Sequence, residues 1–154
     1  MDAGSTTHHL AQLNVGRPVA PLDDPVMADF MAGLEPLNAL ADGTPGFVWR
    51  LTGDGEPDAT GLRPFGPDIM VNMSVWTTVE ALRGYVYRTA HLDSVRRRHE
   101  WFTHDGLDPY LVLWWIPAGT IPTLADAWER LDLLRRNGPG PDAFTLRQPY
   151  PAPV

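Results

Sequence analysis

The stretch from Asp68 to Trp76 constrains the fold most, because its side-chain chemistry alternates with a period of two. Ile69, Val71, Met73 and Val75 share one face of the strand this predicts, and Met70, Asn72, Ser74 and Trp76 share the other. One face is wholly apolar, while the second sets two short polar groups between two large apolar ones. Such a strand belongs in a sheet whose faces meet different surroundings. Leu10 to Val15 repeats the pattern, with Ala11, Leu13 and Val15 alternating against Gln12 and Asn14, and closes at Gly16 and Pro18.

Helical spacing fills the gap between these strands. Asp24 is an N-cap with Pro25 in the first turn, and Val26, Met27, Phe30, Met31, Leu34 and Leu37 recur on one stripe that Pro36 kinks or divides. Phe47 to Leu51 reads as a second strand, followed by a Gly-, Asp- and Pro-rich connection from Thr52 to Pro67. Thr77 with Glu80 forms a capping box that starts a helix through Val79, Leu82 and Val86, with a break near Thr89 and Ala90 and a continuation from His91 to Phe102. Tyr110 to Ile116 is apolar on both faces and is expected to be a central, doubly covered strand. Thr123 and Asp126 cap a last helix with the stripe Leu124, Ala127, Trp128, Leu131 and Leu134, stopped by Gly138 and Pro139. Ala143 to Leu146 is a short final strand before a Pro-rich tail.

The order strand, helix, strand, strand, helix, strand is the split βαβ arrangement. It predicts an α+β class: a ferredoxin-like antiparallel sheet with helices on one face. A sheet covered on one side leaves its other face to hide, and pairing with a second copy through that face would bury it. The expected assembly is therefore a homodimer.

Composition excludes several chemistries. The chain has no cysteine, which removes disulfides, thiolate nucleophiles and Cys-ligated metals. A net charge of -7 and one short basic run, Arg96 to Arg98 between Asp93 and Glu100, argue against nucleic acid as a partner. No apolar run suits a membrane span, and Met1 to Thr7 lacks the basic and apolar segments of a secretory signal, so the cytoplasm is the expected compartment. No phosphate-binding glycine loop and no HExxH spacing occur, so a nucleotide cofactor and a helix-borne metal site are not expected.

Several segments carry a resemblance: AQLN at Ala11–Asn14, PGFVWRL at Pro45–Leu51, VNMSVW at Val71–Trp76, HLDSVRRRHEWF at His91–Phe102 and LWWIPAG at Leu113–Gly119. Together they resemble the DUF3291 family over nearly the whole chain, which implies a single domain over residues 1–154. The resemblance implies a dimeric α/β-barrel fold, shared with quinol monooxygenases, anthrone oxygenases, chlorite dismutase-like haem proteins and aldoxime dehydratases. It also implies a cavity between helices and sheet within each subunit.

Candidate site residues follow from the patterns. His91 shares a helical face with Val95, Arg98 and Phe102, so its imidazole would look toward the sheet as an acid or base, or as an axial haem ligand; the structural alternative is a buried histidine bonded to a carbonyl or to Tyr85 or Tyr87. His99 lies in a charged run, and His8, His9 and His104 fall in terminal or loop positions. Gln12, Asn14, Asn72 and Ser74 would converge on one sheet face, either as fixed donors to a carbonyl, phenolate or enolate oxygen or as a network setting assembly. Arg50 would pair with a carboxylate or bind a substrate acid group, and Arg98 would balance developing negative charge. Trp49, Tyr87, Trp101 and Phe102 are candidates to line an aromatic pocket, against the commoner reading of aromatic core.

These readings favour a small-molecule enzyme (an oxygenase, isomerase, cyclase or lyase on an aromatic or polyketide-like substrate) with no cofactor required by the residues. The alternatives are a haem protein ligated by His91 and a non-catalytic ligand-binding or structural dimer.

Overall fold

The computed structural model describes residues 8–90 and 92–153. In chain order the elements are β1 (His8–Pro18), a short 3-10 turn (Pro25–Met27), α1 (Ala28–Asp42), β2 (Phe47–Arg50), β3 (Met70–Trp76) and α2 (Val79–Thr89). They continue with α3 (Asp93–Arg96), α4 (Arg98–Trp101), β4 (Phe102–Thr103), β5 (Leu111–Pro117) and α5 (Leu124–Asn137).

β1 is the axis of the sheet. Leu10 to Gly16 pair with β3 along one edge, and His8 to Asn14 pair with β5 along the other, both antiparallel. β2 adds to the far edge of β3, and β4 pairs with Arg17 and Pro18 where β5 stops. The order β2-β3-β1-β5 is the ferredoxin-like topology, and the class is α+β as expected. β5 is thus not central: it flanks β1, and its outer edge is closed by a bridge between Leu113 and Phe144. That bridge is what forms in place of the expected strand over Ala143–Leu146, because the prolines and turns around it leave no room for a ladder.

Local chemistry sets the helix boundaries. Asp24 accepts from the Val26 N–H at 2.9 Å and opens the 3-10 turn that leads into α1, which Pro36 does not divide. The cap of α2 is Thr78, one residue beyond the expected Thr77; its hydroxyl accepts from the Ala81 N–H at 3.0 Å. Thr123 caps α5 by accepting from Asp126 N–H, as its spacing predicted.

The two faces of the sheet carry different cores. Ala11, Leu13, Val15, Val71, Met73, Val75, Val112, Trp114 and Ile116 pack against Ala127, Leu131 and Leu134 of α5, with Leu62, Phe65 and Ile69 of the long connection closing the rim. The opposite face sets Leu10, Trp76 and Leu113 against Ala41 of α1, Val79 and Leu82 of α2, and Phe144. This corrects the expectation of a bare second face: the chain's own α5 and connection cover it, and Ala11, Leu13 and Val75 are 0% exposed within one copy. The reason first given for pairing through the sheet therefore falls away. Each buried Leu or Val side chain contributes about 1.5–3 kcal/mol, so α5 supplies internally what a partner was expected to provide.

Candidate functional site

The helix-facing side of the sheet is interrupted by a polar band. Along β1 the row on this face runs Leu10, Gln12, Asn14, Gly16, and opposite it β3 presents Trp76, Ser74, Asn72 and Met70 in register. Above the band lies the Leu10–Trp76–Leu82 cluster. Below it Phe30 of α1 meets Trp101 and Phe102, with ring centroids 5.9 and 4.8 Å apart.

Within the band the hydrogen bonds run in one direction. Gln12 Nε2 donates to Asn72 Oδ1 and to Ser74 Oγ, both at 2.8 Å. Asn14 Nδ2 donates to Gln12 Oε1 and Asn72 Oδ1, both at 3.2 Å, and the Trp76 indole N–H donates to Ser74 Oγ at 2.8 Å. Asn72 Oδ1 and Ser74 Oγ each accept two bonds, so their acceptor positions are filled. Their protons, on the Asn72 amide and the Ser74 hydroxyl, then remain to be donated. Asn72 is exposed at the end of the band. The band thus offers the Asn72 amide at its exposed end, a donor that suits an oxygen carrying partial or full negative charge.

The four amide and hydroxyl residues expected to converge do so. Arg50 shares their face but is occupied: Nε pairs with Asp42 at 2.9 Å and Nη1 donates to the Pro57 carbonyl at 2.6 Å, tying β2 to α1 and to the connection. Tyr85 of α2 lies over the Trp76 ring and donates to the Leu37 carbonyl; burial raises its pKa, with Arg50 opposing and Asp42 reinforcing.

Other expectations are corrected. Trp49 pairs with Val75 and packs in the opposite core, so β-strand parity turns it away from the band. Tyr87 is 75% exposed on α2 and cannot orient a ligand beneath the helices. Trp101 is 1% exposed, stacked under the Arg97 guanidinium and against Phe30, which makes it wall rather than contact. Arg98 is exposed on α4. His8 and His9 are not in a loose end but in β1, paired with Pro117 and Ile116. His91 lies outside the described residues.

The residue that sequence reasoning passed over is His104. Gly16 continues the row of Gln12 and Asn14, and a Cβ placed on it would sit 3.4 Å from His104 Nε2 and 3.4 Å from Phe102 Cδ1. The Nε2 edge of the imidazole therefore lies against the Gly16 position, in contact range of where a Cβ would stand. It stacks on Tyr110 with ring centroids 3.7 Å apart at 14°. Partial burial lowers its pKa, nearby Arg98 lowers it further and Asp108 opposes. The signal for His104 was the glycine breaking an alternating row.

A family model described as a domain of unknown function, DUF3291, matches residues 9–154. The chain belongs to the DUF3291 family. No curated protein matches it. Among solved structures it is similar to SnoaB from Streptomyces nogalater, described as a cofactor-independent oxygenase, at 16% identity over 75% of this chain and 96% of that one, with a TM-score of 0.46. It is also similar to NE2512, a protein of unknown function from Nitrosomonas europaea, at 15% identity over 77% and 99% of the two chains and a TM-score of 0.42.

For this family member, no group of three or more His, Asp or Glu residues suited to a metal is found among the described residues, and no helix there is long and apolar enough to cross a membrane. A hollow of about 340 Å³ lies between the start of α2, Trp115 and Tyr150, beyond the upper apolar cluster and apart from the polar band.

Proposed function

We propose that this chain is a small-molecule enzyme whose polar sheet face binds and stabilises a carbonyl-derived oxygen, as an enolate or phenolate, on an aromatic or polyketide-like substrate. One observation carries the reading: Asn72 Oδ1 and Ser74 Oγ each accept two bonds, so these two residues of the band present protons rather than lone pairs. A network serving only to fill the core would close on itself. This one ends in an exposed asparagine amide. The half-buried rings of Phe30 and Phe102 beside the band suit the carbon skeleton of such a substrate.

The test uses 4-nitrophenol, whose ionised form is yellow. Donors aimed at the oxygen stabilise the phenolate, so the bound phenol should ionise at a lower pH than the free one. Each bond to a charged oxygen is worth about 1.5–3 kcal/mol, so Asn72→Ala should raise the pKa of the bound phenol by about one unit or more. Identical titrations for wild type, Asn72→Ala and Ser74→Ala would remove the reading.

A further inference from the structure

We infer that His104 is the base of this site: it takes the proton from the carbon next to a substrate carbonyl whose oxygen is held by Asn72 and Ser74. The inference rests on the reading of the polar band given above and adds the group that band lacks. Gln12, Asn14, Asn72 and Ser74 can stabilise an oxyanion, but none of them is a base near neutral pH. Arg50 is committed to Asp42 and Pro57, and the Tyr85 hydroxyl to Leu37.

The geometry comes from the β1 row. Successive same-face positions on a strand are about 7 Å apart, so Gly16, with His104 Nε2 3.4 Å from its Cβ position, stands one such step from Asn14 and its partner Asn72. That gap is the width of an enolisable fragment: the oxygen sits at the amides and the carbon bearing the acidic hydrogen lies toward the ring. Two contacts fix the ring. Tyr110 stacks on one side at 3.7 Å, and Nε2 turns toward the Gly16 backbone. A side chain reaching beyond Cβ at Gly16 would meet the edge of the imidazole. Partial burial and then Arg98 favour the neutral form of His104, with Asp108 opposing, and a neutral imidazole has a nitrogen lone pair for the proton.

The step balances without an oxidant. The C–H bond breaks and its proton passes to the imidazole; the electron pair forms a carbon–carbon double bond, and the carbonyl π pair moves to the oxygen facing Asn72 and Ser74. Returning a proton from the imidazole regenerates the ketone. In deuterium oxide the same cycle exchanges hydrogen for deuterium.

The experiment follows loss of the C1 hydrogens of 2-tetralone, an aryl-fused ketone, by proton NMR in deuterium oxide, with binding of the same ketone read by saturation transfer. Wild-type protein should exchange these hydrogens faster than buffer. His104→Phe keeps a ring on Tyr110 and His104→Gln keeps a polar group; both should bind the ketone yet lose exchange by about 100-fold or more. Asn72→Ala should weaken binding and exchange together. Exchange undiminished in both His104 variants, with Asn72→Ala impaired, would overturn the role of His104 and leave the polar band standing. A wild-type protein that neither binds nor exchanges the ketone would overturn both.

Discussion

The saturation of Ser74 can be tested by stability alone. Ser74→Ala removes an oxygen that accepts from Gln12 and from the Trp76 indole, each at 2.8 Å. Gln12 keeps Asn72 as an acceptor, so its loss is an ordinary bond of about 0.5–1.5 kcal/mol. Trp76 is 1% exposed and its indole N–H donates to Ser74, so the substitution orphans that N–H in the core at a cost of about 1–3 kcal/mol. In a Trp76→Phe background there is no indole N–H to orphan, and Ser74→Ala should cost only the first term. The double-mutant cycle should therefore show a coupling of about 1 kcal/mol or more, visible in urea as a shift of the midpoint by about 0.3–1 M. Equilibrium unfolding followed by fluorescence and by circular dichroism gives all four corners. Costs that add within about 0.3 kcal/mol would show that Ser74 does not hold the indole, and the donor direction argued for the band would fall with it.

Two further outcomes follow from the segment that carries His104. Its pKa lies below the ordinary histidine value, so at a given pH near that value the unfolded chain binds more protons than the folded one, and stability rises with pH. The contribution is complete above the ordinary range and is lost as pH falls through the folded-state value. Arg98 and Asp108 are the charged groups acting on the ring and Tyr110 is stacked against it. His104→Phe should flatten the dependence of the unfolding midpoint on pH as it falls below the ordinary histidine value, and an unchanged slope would count against it. Arg135 of α5 donates to the Leu107 carbonyl at 2.7 Å and to Pro109 at 3.2 Å, holding the loop between β4 and β5 from the far side of the sheet. Arg135→Met should cost about 1–3 kcal/mol in chemical unfolding and slow the ketone exchange as the imidazole loses its support; full exchange in a destabilised protein would separate the two.

Much of the fold was legible because a period of two is a local property. The alternation in Asp68–Trp76 assigned Val71, Met73 and Val75 to one core and Trp76 to the other, and both clusters formed as the pattern required. What periodicity could not say was which element would cover which face. The stripe Ala127, Leu131, Leu134 marks an amphipathic helix wherever it docks, and only the chain's path after β5 brings α5 to the side opposite α1 and α2. The bare sheet face was inferred from the topology of the first two helices, and the third supplied the cover.

The site divides along the same line. Gln12, Asn14, Asn72 and Ser74 were found because the strand rule places them on one face, and pairing of β1 with β3 in the expected sense makes them neighbours. Parity also decides against Trp49, but only once a bulge between Phe47 and Trp49 is known, and an irregularity of that kind leaves no mark in the pattern. His104 was dismissed as a loop residue because its position depends on β4 and the turn beyond it, not on any row. A glycine shows nothing by its own side chain; it shows what the neighbouring chain can insert. In a row whose other members are amides and large apolar groups, the missing side chain at Gly16 is where an imidazole from a loop can reach a sheet face without displacing a residue that the sheet itself supplies.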